Sequence, residues 1–154
     1  MTEKKQAPRK TLVRDARTAL KDCAGVNSRL AARLISQFLD ARMKPSGLSL
    51  AQFGLMAQIA AAEDDSLSAL AERAGLEQST LSRNLHGLEK AGLVEIAVAE
   101  TDLRRRGVWL TEQGARMLEA AMPVWRQAHV ALARHLDPGL ARRLGQAAQA
   151  LMRG

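Results

Sequence analysis

From about Thr11 to Arg42, apolar residues return every three or four positions: Leu12, Ala16, Ala19, Leu20 and Cys23, then Leu30, Leu34 and Phe38. That spacing sets them on one face of a helix. A helix of this length carries more apolar stripe than a small domain can hide, so the pattern predicts pairing with another subunit. The run Met43-Lys44-Pro45-Ser46-Gly47 breaks it. Ser49-Leu50-Ala51-Gln52 then has capping-box spacing and predicts a helix from about Leu50 to Ala62. Ser66 caps a short helix over Leu67–Ala74, and Gly75 supplies the turn. A further helix is predicted from about Glu77 to Ala91, stopped by Gly92. Val94, Ile96 and Val98 alternate with period two, as in a strand. A polar loop from Ala99 to Gly107 leads to a second short strand, Val108–Leu110. Thr111 caps a helix from about Glu112 to Leu136, in which Pro123 predicts a kink. Asp137-Pro138-Gly139 turns the chain into a last helix reaching about Met152. The expected fold is mainly α with a two-stranded ribbon.

The stretch Leu67–Leu93 has the form of a helix-turn-helix: two short helices meet across Gly75, and the second presents a polar face. Projected at about 100° per residue, Leu81, Leu85 and Leu88 form one apolar stripe. The opposite side holds Ser79, Arg83, His86 and Lys90, with Gly87 beside them. Gln78, Ser79, Thr80, Ser82 and Arg83 fill the first two turns, where recognition helices meet base edges. Arg offers two donors to guanine O6 and N7, and Ser or Thr serves bases or phosphates. A solvated face on an amphipathic helix has the same look; the helix-Gly-helix form and the hairpin that follows favour DNA. That hairpin is a candidate wing, with Asp102, Arg104, Arg105 and Arg106 at its tip. Consecutive arginines suit a narrow minor groove, whose negative potential draws guanidinium groups in, and Asp102 is near enough in sequence to orient one of them.

Charge sharpens this picture. The 154 residues carry a net charge of +7 and a pI near 10.5, which points to an anionic partner, with double-stranded DNA the leading one. The excess sits at the ends: residues 1–21 sum to +5 and residues 116–154 to +4. DNA read in the middle of the chain is therefore read by a few well-positioned cations. Aromatic residues are 3% of the chain and Tyr is absent, so the core must be built from Leu, Ala, Met and Val. No apolar run reaches the roughly 18–20 residues of a membrane span, and no apolar stretch follows the charged N-terminus as in a secretory signal. The expected compartment is the cytoplasm, with no membrane partner.

These residues resemble the MarR family of winged helix-turn-helix regulators. The likeness runs from about Val13 to Leu151. It is carried by Pro45–Phe53, by Leu67–Leu93, and by Asp102-Leu-Arg104 followed at fixed distance by Leu110-Thr111-Glu-Gln-Gly114. The resemblance implies a homodimer whose N- and C-terminal helices interlock, bound to a pseudo-palindromic operator. It also implies repression, released by small phenolic or aryl acids or by oxidants. Arg104 then corresponds to the minor-groove arginine, Asp102 to its orienting partner, and Ser79, Thr80, Ser82 and Arg83 to the major-groove positions. The chain departs from the pattern in two ways. Ile96-Ala97 stands where relatives often carry a basic pair, and Leu103 where many place Arg. The implied organisation is a basic arm over residues 1–10, a dimerisation region over 11–48 and 112–154, and a DNA-binding winged helix-turn-helix over 49–111.

Cys23, the only cysteine, is a redox candidate, because one branch of the family senses hydroperoxides through a cysteine in this region with tyrosine assistance. Without Tyr, and on the apolar stripe, it is expected to be buried packing. His129 and His135 are six residues apart and do not converge on a helix, and no metal or cofactor site is expected. Met117, Met122, Trp125 and Leu132 read first as core. Trp125 beside Arg126, with Met122, is the candidate site for an aryl-acid effector. The chain has no Gly-rich phosphate loop and no recognisable catalytic order of Ser, His and acid, so an enzyme is not expected. The alternatives to a specific regulator are a thiol-based redox-sensing regulator using Cys23, an architectural protein that coats DNA without sequence preference, and a helical scaffold.

Overall fold

The computed structural model describes residues 10–99 and 102–152, without the side chains of Ala99, Asp102, Leu103, Arg104 and Arg105. Most of the expected basic arm lies outside the described residues. The chain divides into two units, residues 1–38 and 39–154.

The first unit differs from the single long helix expected. Two helices, α1 (Lys10–Asp22) and α2 (Ala24–Met43), meet at Cys23. The cause is local. The Asn27 side-chain amide donates to the Lys21 carbonyl at 2.9 Å, in place of a backbone amide, and also to the Cys23 carbonyl at 3.0 Å, which keeps its helical donor Asn27 N at 3.1 Å. Gly25 in the next turn is a weak helix former. Every residue of α1 is exposed. Cys23 is exposed within the single chain as well, which corrects the expectation only so far as this chain's own packing was to bury it. The stripe it was assigned to has no covering partner within α1.

The second unit begins inside α2, whose Leu39 and Met43 are buried. A 3₁₀ turn at Lys44–Ser46 follows and closes on Gly47, at φ 75°. The box that opens α3 (Leu50–Ala60) is formed as expected: Ser49 Oγ accepts from Gln52 N at 3.1 Å, and Ser49 N donates to Gln52 Oε1 at 2.9 Å. Ser66 caps α4 (Leu67–Ala74), and Gly75 ends it at φ 62°, a left-handed conformation that Gly adopts without a Cβ penalty. Then come α5 (Gln78–Lys90), β1 (Val94–Ala99), β2 (Asp102–Leu110), α6 (Glu112–Ala133) and α7 (Pro138–Ala150). Among the described residues the fold is mainly helical with one two-stranded antiparallel sheet, as the sequence pattern implies. None of the described helices is long and apolar enough to cross a membrane.

The core of this unit gathers Met43, Phe53, Met56, Leu70, Leu81, Leu85, Leu88, Val94, Val108 and Leu118, with α3 packed against α4, α6 and β2. Fully burying a Leu side chain contributes about 1.5–3 kcal/mol, so the three leucines of α5 fix its rotation firmly. Helix α6 runs through Pro123. Asp137 caps α7, accepting from Gly139 N at 2.8 Å and from the Arg143 guanidinium at 3.1 Å; these donors hold its carboxyl below the usual carboxylate range.

The ribbon is longer than expected. Most of the segment assigned to a polar loop is strand, because β2 starts at Asp102 and pairs from Ala99↔Asp102 to Val94↔Leu110. The register shifts between Val98↔Arg106 and Ala99↔Asp102. Arg104, Arg105 and Arg106 therefore lie along a strand rather than on a loop tip. The ribbon is also stitched to the start of α4, where Val108 N donates to Asp65 O at 2.9 Å and Ser66 bridges Gly107.

Candidate nucleic-acid interface

Helix α5 is anchored from below and bare above. Leu81, Leu85 and Leu88 are 3%, 1% and 0% exposed, so the stripe points into the core as its spacing requires. Gln78, Ser79, Ser82, Arg83, His86 and Lys90 are exposed, and Thr80 is half-buried. The N-cap, Glu77, makes no side-chain cap bond, and the amides of a first helical turn have no partner within the helix.

Some of the exposed residues line grooves on the two flanks of α5. Gln78, Ser82 and His86 line a groove between α5 and the ribbon, with Leu67, Leu85 and Ile96 in its walls and Arg106 from β2 on its edge. Arg83 lies in the other groove, between α5 and the start of α3, with Asn84 and Gly87 of its own helix and Ser49, Ala51 and Gln52 opposite. The sequence reading missed Asn84. Its direction on the helical projection borders the leucine stripe, yet the side chain is exposed. A side-chain amide that can pair bidentately with adenine was the available signal. Among the wing residues, Arg106 is exposed and stands opposite Val98. The side chains of Asp102, Arg104 and Arg105 lie outside the described residues, so the expected Asp102–Arg104 pairing lies there too.

The ribbon has two unlike faces. Val94 and Val108 are buried and Ile96 half-buried toward the core, while Glu95 and Trp109 pair in register on the exposed face. Thr111 joins ribbon to helix: its hydroxyl donates to Gly92 O (2.6 Å) and accepts from Gly114 N (3.0 Å), while its own amide donates to Leu93 O (3.1 Å). At Gly114 a Cβ would collide with the Leu93 carbonyl oxygen and lie 2.9 Å from its carbon. The Leu-Thr-x-x-Gly spacing is thus a packing requirement that locks α6 onto the junction of α5 and β1.

The candidate effector residues do not share one environment. Met122 and Trp125 are half-buried and pack against the core, whereas Arg126 is exposed. The Trp125 ring stacks on Phe53 (centroids 5.9 Å apart, 16° between planes) and lies 4.3 Å from the His129 ring. Among the described residues no three His, Cys, Asp or Glu side chains gather as a metal site would require.

Residues 46–105, from the 3₁₀ turn to β2, match the model of the MarR family. The transcriptional regulator MosR of M. tuberculosis, solved in complex with DNA, is 36% identical with a TM-score of 0.73, over 84% of this chain and 98% of that one. The chain belongs to the MarR family. Its fold is also that of MarR itself from E. coli, at 22% identity and a TM-score of 0.64, over 83% of this chain and 96% of that one. The transcriptional regulator HosA of Escherichia coli is 38% identical over 77 residues, half of this chain. The chain spans 57% of the length of that curated relative. Within the family match lie α3, α4, α5, β1 and the start of β2, while Arg106, on the edge of the groove beside the ribbon, falls just beyond it.

Proposed function

We propose that this MarR-family chain is a sequence-specific, double-stranded DNA-binding transcriptional regulator. In this reading it represses from a pseudo-palindromic operator as a homodimer. The observation that carries it is the mounting of α5: three buried leucines hold the helix while Ser79, Ser82, Arg83, His86 and Lys90 stay exposed beside a basic ribbon. A helix so mounted enters a major groove with its first two turns against base edges. The effector in this reading is a small aromatic or phenolic acid, whose carboxylate Arg126 would meet near Met122 and Trp125. Titration of genomic operator fragments against random duplex at two salt concentrations tests the reading. Tight, salt-dependent binding that prefers one fragment is the expected result. Equal binding to all duplexes would make this an architectural DNA-coating protein, and no salt-dependent binding would make it a scaffold.

The dimer has its own support. Neither α1 nor α7 contains a buried residue, and both expose large apolar side chains, Leu12 and Leu20 on the first, Leu140 and Leu144 on the second. Exposed stripes of this kind call for a covering surface, and a second copy supplies matching ones. Light scattering at micromolar concentration should give twice the chain mass, and the two α5 helices should meet half-sites about 34 Å apart. A stable folded monomer would overturn this part of the reading.

A further inference from the structure

Lys10, Arg14, Arg17 and Lys21 of α1 recur at i, i+4, i+7 and i+11. At about 100° per residue all four fall within an arc of about 60°. They make a straight cationic stripe about 16 Å long, at about 1.5 Å rise per residue. Leu12, Val13, Ala16, Ala19 and Leu20 occupy a separate arc, and Asp15 and Asp22 a third. The stripe is thus distinct from the apolar face assigned to the dimer. All four cations are exposed. Arg14 meets its neighbour Asp15 at 3.4 Å, but both side chains are mostly exposed, and such pairs hold weakly. Like charges at i,i+3 and i,i+4 repel and weaken a free helix. Their alignment along one edge therefore works against α1 unless an extended anion lies beside it.

We propose that α1 is a second DNA contact, which grips backbone phosphates through this stripe and adds to what α5 reads. The proposal rests on the DNA-binding reading above. A duplex presents one negative charge per about 1.7 Å of axis, so a stripe of this length spans several phosphates. Such contacts add affinity and salt dependence without base information. An anionic lipid surface is the competing partner for a basic amphipathic helix. The apolar arc of α1 argues against it, with only three large side chains, Leu12, Val13 and Leu20, and no aromatic residue to seat in a membrane interface.

The test uses the full chain with Lys10→Gln, Arg14→Gln, Arg17→Gln and Lys21→Gln together, since Gln keeps helix propensity. Binding to operator and to random duplex is titrated across a salt series. The slope of log affinity against log salt should flatten by at least about 0.9 and up to about 3.6 per protomer. Operator and random duplex should weaken by the same factor, with base preference intact. Arg17→Gln alone should remove about 0.9 and guards against loss of folding in the fourfold variant. The charge-preserving set Lys10→Arg, Arg14→Lys, Arg17→Lys and Lys21→Arg should keep the parent slope. A slope shared by the parent and the Gln variants overturns the role of α1 alone. Flotation with phosphatidylglycerol vesicles that these Gln changes abolish, at unchanged DNA slope, overturns it in favour of a membrane. A parent chain that binds no duplex overturns the DNA-binding reading itself.

Discussion

Gly114→Ala is expected to lower the melting temperature by about 6–12 °C, the shift that about 3 kcal/mol produces in a chain of this size. The new methyl group meets backbone, the carbonyl of Leu93, and not the movable end of a side chain. Relief requires moving the first turn of α6 away from the α5–β1 junction. That movement breaks the bonds Thr111 makes to Gly92, Leu93 and Gly114 together, at 2.6, 3.1 and 3.0 Å. Overpacking alone costs about 1–3 kcal/mol, and loss of a cap adds to it. Gly87→Ala is the matched control. Its Cβ would meet nothing within 4 Å in the exposed middle of α5, so it should stabilise the fold by about 0.5–1 kcal/mol. Thermal melts followed by circular dichroism decide the pair. Equal melting temperatures for Gly114→Ala and the parent would refute the locking role of this glycine.

Arg83→Ala should weaken operator binding by about 1–3 kcal/mol per half-site and relax preference at one base position. This follows from the proposed function and from the position of Arg83, exposed above Leu81, Leu85 and Leu88 in the second turn of α5. Arg104→Ala should act differently. In the proposed reading Arg104 enters a minor groove, which distinguishes little beyond A·T from G·C. Its removal should weaken operator and random duplex alike and flatten the salt slope by about 0.9 for each phosphate left without its cation. Asp102→Ala should partly reproduce that effect, because an unanchored guanidinium has to be ordered on binding. Each variant is titrated against the operator, its single-base variants and random duplex at two salt concentrations. If Arg83→Ala weakens all duplexes equally with base preference intact, Arg83 is a phosphate clamp and the recognition face lies elsewhere on α5.

What the sequence determined by itself is whatever depends on neighbours within about four residues. The caps of α3, α4 and α6 stand at Ser49, Ser66 and Thr111 as expected, because a capping hydroxyl and the amide it serves are three residues apart. The leucine stripe of α5 and the turn at Gly75 were legible for the same reason, and with them the candidate face of α5. The tertiary structure decided the rest. Which side of α5 each polar residue takes depends on the ribbon and on α3, so Arg83 and His86 line different grooves although both project away from the core. The extent of β2 was hidden because Asp102, Arg106 and Gly107 pair with Ala99, Val98 and Ala97 of β1, which the polar composition of the segment does not announce. The bridge from Gly107 to Ser66 joins residues far apart in sequence and leaves no local signal. The break at Cys23 arises from Asn27 reaching back two positions beyond a helical turn to the carbonyl of Lys21, a competition that apolar periodicity does not register. Gly114 shows the same division: sequence marks it as a glycine in a capped first turn, but only the approach of the Leu93 carbonyl explains why a side chain is excluded there.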